Sequence, residues 1–281
     1  MTWSPPGPAL LFCPADRPDR YAKAALAADM VILDLEDGVA AADRVAARRA
    51  LGRTLLDPAR TIVRVNPSGT EDHARDVATL AATPYELVML AKTESADQVS
   101  ALAPRKIVAL CETPAGVLAA GSIAAAGGIV ALMWGAEDLV AGLGGRSSRR
   151  PDGGYRDIAR HARSQVLLAA GAHGVPAIDA VHLEIGDLEG LRDEATDAAA
   201  SGFAATACVH PSQIAAVREA YRPTDDEVAW ARRVLAAASQ ARGVFSFEGR
   251  MVDAPVLRHA EHVLQRAASP ADGAARWLGR R

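Results

Sequence analysis

Short runs of apolar residues recur along the chain, separated by longer stretches in which apolar and polar positions alternate at helical spacing. The runs are Ala9–Cys13, Met30–Leu35, Arg60–Val65, Leu87–Ala91, Lys106–Cys111, Gly128–Trp134, Pro176–Val181 and Ala204–Val209. Short β-like runs that are mostly apolar, clearest in Gly128–Trp134, predict strands buried on both faces, as in a parallel sheet covered by helices. The stretches between them are rich in alanine. Ala40–Leu51, with Arg44, Arg48 and Arg49 on a polar face, and Asp157–Ala170, ending before Gly171, read as helices. Eight strand–helix units in this span predict an α/β fold, a (β/α)8 TIM barrel over residues 9–222, in preference to an open doubly wound sheet. The first strand is not followed by the GxGxxG spacing of a dinucleotide-binding turn, which further disfavours the open sheet.

A closed barrel is complete without the remaining residues, 223–281. Thr224-Asp-Asp-Glu227 has the spacing of a capping box and predicts a helix over Glu227–Ala241. Gly243–Pro255 reads as a β-hairpin or loop, and Val256–Ala267 as a final amphipathic helix. Residues 223–281 are therefore expected to form a helical and hairpin extension. Such an extension can cover the barrel bottom, contact another subunit or close over the mouth.

Composition narrows the setting. With 281 residues and 50% hydrophobic content, the chain can bury a large core, and a net charge of -3 gives no whole-chain drive toward nucleic acid or an anionic membrane. Cys13, Cys111 and Cys208 are odd in number, widely spaced and set in apolar surroundings, the pattern of reduced thiols in a cytoplasm. Met1–Pro8 holds three prolines and no basic residue, and the apolar run after it is short. Neither a signal peptide nor a membrane span is expected there.

In a barrel, the residues just after each strand share one rim, the face on which such folds bind and react. Here they are polar: Asp16 and Arg17, Glu36 and Asp37, Arg64 and Asn66, Lys92 and Glu94, Glu112, Glu137 and Asp138, His182, and His210. Asp138 alone reads equally as a cap for the next helix. Beside Glu112, at the end of the neighbouring strand, it becomes half of a carboxylate pair. With few other dedicated ligands, such a pair suits Mg²⁺, which keeps water and substrate oxygens in its shell. Arg64 across the rim can fork onto a carboxylate or a developing enolate oxygen. Metal, guanidinium and acid together equip a site for chemistry beside a carbonyl.

The segments Leu11-Phe-Cys-Pro14-Ala-Asp-Arg17-Pro, Val31-Ile-Leu-Asp-Leu-Glu36-Asp37-Gly, Val63-Arg64-Val-Asn66-Pro, Glu112-Thr-Pro-Ala-Gly116, Trp134-Gly-Ala-Glu-Asp138-Leu and Val209-His210-Pro-Ser-Gln213-Ile resemble, in chain order, the citrate lyase beta subunit family, which includes malyl-CoA and citramalyl-CoA lyases. The resemblance implies a Mg²⁺-dependent carbon–carbon lyase. It would cleave a β-hydroxyacyl-CoA thioester to acetyl-CoA, or a close homologue, and a 2-oxo acid.

The resemblance also implies roles. Glu112 and Asp138 would hold the metal, and Arg64 would bind substrate, with Gly135, Ala136, Arg17 and Lys92 as further substrate contacts. Gly249-Arg-Met-Val-Asp253-Ala-Pro resembles a C-terminal stretch whose aspartate reaches a neighbouring subunit's site, so the chain is expected to be a homo-oligomer, with a trimer favoured. Asp253 would deliver a proton to the enolate carbon. Glu36 and Asp37 would orient Arg64 and the metal's water, and Arg20 and Lys23 stand near Arg17 for CoA phosphates. Two departures are visible: Ala91-Lys92 where many relatives have Pro-Lys, and Gly202-Phe-Ala-Ala-Thr206 where they have Gly-Phe-x-Gly-Lys. The alternatives are a citryl-acyl-carrier-protein lyase subunit and a thioesterase or malate-synthase-like activity at the same site.

Overall fold

The structure is a computed structural model that describes residues 3–241 and 243–268. Eight parallel strands close into a barrel in sequential order: β1 (Ala9–Pro14), β2 (Met30–Asp34), β3 (Thr61–Val65), β4 (Leu87–Leu90), β5 (Lys106–Cys111), β6 (Ile129–Trp134), β7 (Ala177–Asp179) and β8 (Ala205–Cys208). β8 closes on β1 through the register Leu10 with Ala207 and Leu11 with Cys208. Each of the eight expected runs holds one strand, and the (β/α)8 barrel is confirmed. Around it lie α1 (Pro18–Ala27), α2 (Arg44–Arg53), α3 (Glu71–Leu80), α4 (Ala96–Ser100), α5 (Pro114–Ala124), α6 (Ala136–Gly142), α7 (Asp157–Ala172), α8 (Leu188–Ser201) and α9 (Ile214–Tyr221).

Burial on both strand faces comes from two separate cores. Alternate residues point into the barrel, where Leu10, Met30, Ile32, Ile62, Met89, Val108, Leu110, Met133 and Ile178 pack together. The intervening residues, among them Leu11, Val31, Leu33, Val63, Leu90 and Ala109, pack outward against alanines of the helices. This alternation matters for function. Extended by one step toward the carboxyl ends, the inward columns place Asp34 above Ile32, Arg64 above Ile62 and Glu112 above Leu110.

Charged clamps tie helices to the strands. Arg163 on α7 bonds both carboxylate oxygens of buried Asp179 on β7, which also accepts the Trp134 indole N–H at 2.5 Å. Arg218 on α9 reaches Asp29, whose Oδ2 accepts the backbone N–H of Ala9 at 2.9 Å. That links the barrel's first strand to its last helix.

The extension has its own small core. α10 (Asp225–Ala238), the hairpin β9 (Phe245–Phe247) and β10 (Arg250–Val252), and α11 (Ala254–Ala268) gather around Ala231, Val234, Val252, Ala260 and Val263. The Thr224–Glu227 capping box is present, with Thr224 N donating to Glu227 at 2.7 Å and Glu227 N to Thr224 Oγ1 at 3.2 Å. The helix it caps begins and ends a few residues before the expected bounds. Residues 269–281 of the expected extension lie outside the described residues. Among the described residues, no helix is long and apolar enough to cross a membrane.

Candidate active site

At the carboxyl ends of the strands is a cavity of ≈ 420 Å³ lined by Phe12, Asp34, Asp37, Arg64, Glu112, Gly135, Ala136, Asp138 and apolar neighbours such as Met133, Val181 and Leu183. Larger clefts lie elsewhere, but this one collects the rim chemistry.

Arg64 organises its floor. Its Nε donates to Asp34 Oδ1 at 2.7 Å and its Nη2 to Asp34 Oδ2 at 2.6 Å, a two-pronged fork between neighbours in the β2–β3 register. Its Nη1 lies 3.0 Å from Glu36 Oε2 without hydrogen-bond alignment, and its guanidinium carbon stands 4.8 Å from the centre of the Phe12 ring. Burial works against the charge of Arg64. The bonds and charges of Asp34 and Glu36 outweigh it, holding the group far above the ordinary arginine pKa. Asp34 is itself fixed, since it accepts the backbone N–H groups of Glu36 at 3.0 Å and Gly38 at 2.8 Å. A Cβ on Gly38 would fall 2.3 Å from Asp34 Oδ2, so only glycine lets the chain turn this closely over the carboxylate.

Glu112 ends β5 and is buried, with 3% of its surface exposed. Its Oε1 accepts the backbone N–H of Lys92 at 3.1 Å. Its Oε2 lies against Gly135, where a Cβ would come within 2.9 Å. Burial, then the charge of Asp138, push its pKa up to about 8. Asp138, in the first turn of α6, is more open, with 37% of its side chain exposed. Two carboxylates, one deeply buried and burdened by the charge of the other, form a donor set that a hard divalent cation would neutralise. Among the described residues, no group of three or more His, Cys, Asp or Glu is set to cage a metal. The fit is to an ion that completes its shell with water and substrate oxygens, as Mg²⁺ does.

Lys92 sits between these groups. Its ammonium donates to Glu36 and, at 3.0 Å, to Asp37 Oδ2, and lies 3.4 Å from Asp138 Oδ1. Its backbone φ of 50° is left-handed, uncommon for a side chain of this size. Burial raises Glu36 above the ordinary carboxylate range. Burial raises Asp37 too, but there the Lys92 bond and charge win, leaving it below that range.

Of the rim residues expected from sequence, Glu36, Asp37, Arg64, Lys92, Glu112, Gly135, Ala136 and Asp138 converge. Arg17 does not line the cavity, and its guanidinium pairs with Asp19 at 3.2 Å. Asp253 opens α11, accepting the Val256 N–H at 3.4 Å, and lines a separate hollow with Val244, Phe245 and Leu257. Glu137 accepts from Ser148 at 2.6 Å, Asn66 bonds Asp76 at 2.7 Å, and His182 is buried between Glu194 at 2.9 Å and Asp187 at 3.2 Å. His210 caps the turn after β8, accepting the Ser212 N–H at 3.2 Å. Asp34 is a site residue that the residues just after the strands do not include. It stands inside a strand rather than after one, and only the inward alternation from Ile32 marks it as a site residue.

With the geometry in place, comparison with known proteins decides the family. The HpcH/HpaI aldolase/citrate lyase model matches residues 9–211, nearly the whole barrel. The chain belongs to the HpcH/HpaI aldolase/citrate lyase family. Within that family it is 64% identical over 261 residues to a citrate lyase subunit beta-like protein of Mycobacterium tuberculosis, covering 93% of this chain and 96% of that one. It is 31% identical over 299 residues to the mitochondrial citramalyl-CoA lyase of Homo sapiens, covering 94% and 86%. The crystal structure of Mycobacterium tuberculosis CitE in complex with magnesium, acetoacetate and coenzyme A matches with a TM-score of 0.90 and 64% identity, over 93% of this chain and 98% of that chain. The resemblance expected from the motifs is borne out, and with it the class of enzyme, a carbon–carbon lyase.

Proposed function

We propose that this lyase cleaves a β-hydroxyacyl-CoA thioester of the malyl-CoA or citramalyl-CoA type to acetyl-CoA, or a close homologue, and a 2-oxo acid, with Mg²⁺ held by Glu112 and Asp138. The observation that carries the reading is the meeting of this carboxylate pair with Arg64 in one cavity. Relatives crystallised with magnesium together with acetoacetate and coenzyme A, pyruvate or oxaloacetate support it.

Bound between the two carboxylates, Mg²⁺ would supply Lewis acidity toward the substrate's oxygens. The chain's own groups do the rest. As the hydroxyl proton passes to solvent, its oxygen becomes the carbonyl of the 2-oxo acid, and the electron pair of the breaking carbon–carbon bond passes to the thioester enolate. Arg64, aimed by Asp34 and Glu36, meets that charge. Gly135 and Ala136 give the substrate a wall without bulk. Asp253 of a neighbouring subunit returns a proton to the enolate carbon, which gives residues 223–281 their purpose and requires an oligomer, with a trimer favoured. Arg17, Arg20 and Lys23 meet the CoA phosphates once Arg17 leaves Asp19. Three buried free cysteines favour a cytoplasmic location.

Steady-state assay of the purified protein on malyl-CoA and citramalyl-CoA tests the reading. Glu112→Ala and Asp138→Ala should each abolish Mg²⁺-dependent cleavage, and retained activity in both would overturn the metal assignment. Asp253→Asn should lose turnover while still binding substrate; unchanged turnover would leave the extension a purely structural role. Failure on CoA thioesters, with activity on a citryl group carried by an acyl-carrier protein, would favour the partner-dependent alternative.

A further inference from the structure

One residue of the rim touches four carboxylates. Lys92 fixes Glu112 through its backbone N–H at 3.1 Å, bonds Glu36 and Asp37 through its ammonium, and brings that ammonium to 3.4 Å from Asp138. Both functions from a single position depend on the left-handed backbone at φ 50°. That turn lets the N–H face β5 while the side chain runs back toward the loop after β2. The setting is strongly acidic: among the described residues that line or border the cavity, Asp34, Glu36, Asp37, Glu112, Glu137 and Asp138 stand around Arg64 and Lys92. Arg64 is held by Asp34 and Glu36, so among the described residues of this rim Lys92 is the cation left for the outer acids.

We infer that Lys92 is a resident counter-cation: it neutralises the acidic rim in the metal-free protein and competes with the divalent ion for Asp138. This rests on the reading of Glu112 and Asp138 as the metal pair. The contacts are graded for such an exchange. Those to Glu36 and Asp37 are hydrogen bonds, whereas that to Asp138 is a longer charge contact. An arriving divalent cation takes Asp138, and the ammonium keeps its other two partners. Lys92 is a positioning residue in this scheme, acting through the acids it holds.

A purely structural lysine and a competing one predict opposite signs. Lys92→Gln keeps the backbone N–H and a polar donor one atom shorter than the lysine, and removes the charge. Calorimetric titration with Mg²⁺ alone should then show tighter binding by about tenfold, about 1.4 kcal/mol. The metal-free variant should melt lower than the wild type, and added Mg²⁺ should raise its Tm by more. Lys92→Arg, which keeps the charge, should bind Mg²⁺ much as the wild type does. Asp37→Asn, at an exposed position that does not threaten folding, removes one anchor of the ammonium and should weaken Mg²⁺ binding several-fold.

Equal or weaker binding by Lys92→Gln, with a wild type that does bind Mg²⁺, overturns this inference alone. Should Lys92→Gln not fold, unchanged Mg²⁺ affinity in Asp37→Asn overturns it equally. A wild type that binds no Mg²⁺ overturns the metal assignment first and this inference with it.

Discussion

Arg64 is useful only if its guanidinium is held, and Asp34 does most of the holding, so Asp34→Ala is the most informative single substitution. Asp34 is buried at 2% exposure and accepts four hydrogen bonds, two from Arg64 and one each from the backbone of Glu36 and Gly38. Removing one partner of a buried ion pair costs about 3–5 kcal/mol, because the other charge stays buried without compensation. Glu36 still stands 3.0 Å from Arg64, which places the cost toward the lower end. At roughly 2–4 °C per kcal/mol for a chain of this size, about 3 kcal/mol is a fall in Tm of roughly 6–12 °C. Thermal denaturation followed by circular dichroism reads that directly, and turnover measured beside it should fall further if Arg64 meets the enolate as proposed above. The double variant Asp34→Ala/Arg64→Met removes both charges and should be more stable than Asp34→Ala alone. A single variant within about 2 °C of the wild type, or a double variant whose losses simply add, would refute the account of Arg64 as a group held by Asp34.

Two other substitutions probe the supports of the site. Gly135→Ala puts a Cβ 2.9 Å from both Cβ and Oε2 of Glu112, so Glu112 must shift, while its backbone, at φ -135°, tolerates alanine; it should weaken Mg²⁺ binding by about tenfold or more, as changes beside a metal ligand do, if Glu112 is the ligand proposed above. Unchanged affinity in the titration would mean that Glu112 is not fixed where it stands. His182 is raised above the ordinary imidazole pKa of 6.5 by its bond to Glu194, against burial and the nearby Arg149 charge. A raised folded-state pKa means that the His182–Glu194 contribution is full below that ordinary value and is lost as pH rises through the raised one. The stability difference between wild type and His182→Gln in urea should therefore be larger at about pH 5.5 than at about pH 8.5. A difference constant across that range would contradict the pairing.

The sequence and the structure agree most closely where local rules suffice. The eight runs mark all eight strands because a strand buried on both faces is largely apolar, a property of consecutive residues that survives the few charged positions such as Asp34, Arg64 and Asp179. The Thr224–Glu227 capping box is equally local, made within one turn of chain. Glu112 and Asp138 were legible for a related reason: they come just after consecutive strands, and consecutive strands in a barrel are neighbours.

Other parts of the site depend on distances that no local rule supplies. The partnership of Lys92 with Glu36 joins residues 56 apart in the chain, and that of Arg64 with Asp34 joins residues 30 apart. Asp34 could have been found by carrying the inward alternation of β2 one step past Ile32, but naming Arg64 as its partner needs the β2–β3 register. Asp253 shows the opposite case, a residue legible as a motif that the fold of one chain leaves in a hollow of its own.

The sequence alone determined the barrel, its order of strands, the capped extension and the acids of the rim, because each comes from periodicity or from position at the end of an apolar run. Only the tertiary structure decided which acids face a cation and which face one another. Barrel closure and strand register bring side chains from distant segments within a few ångströms, and charge pairing is settled at that range.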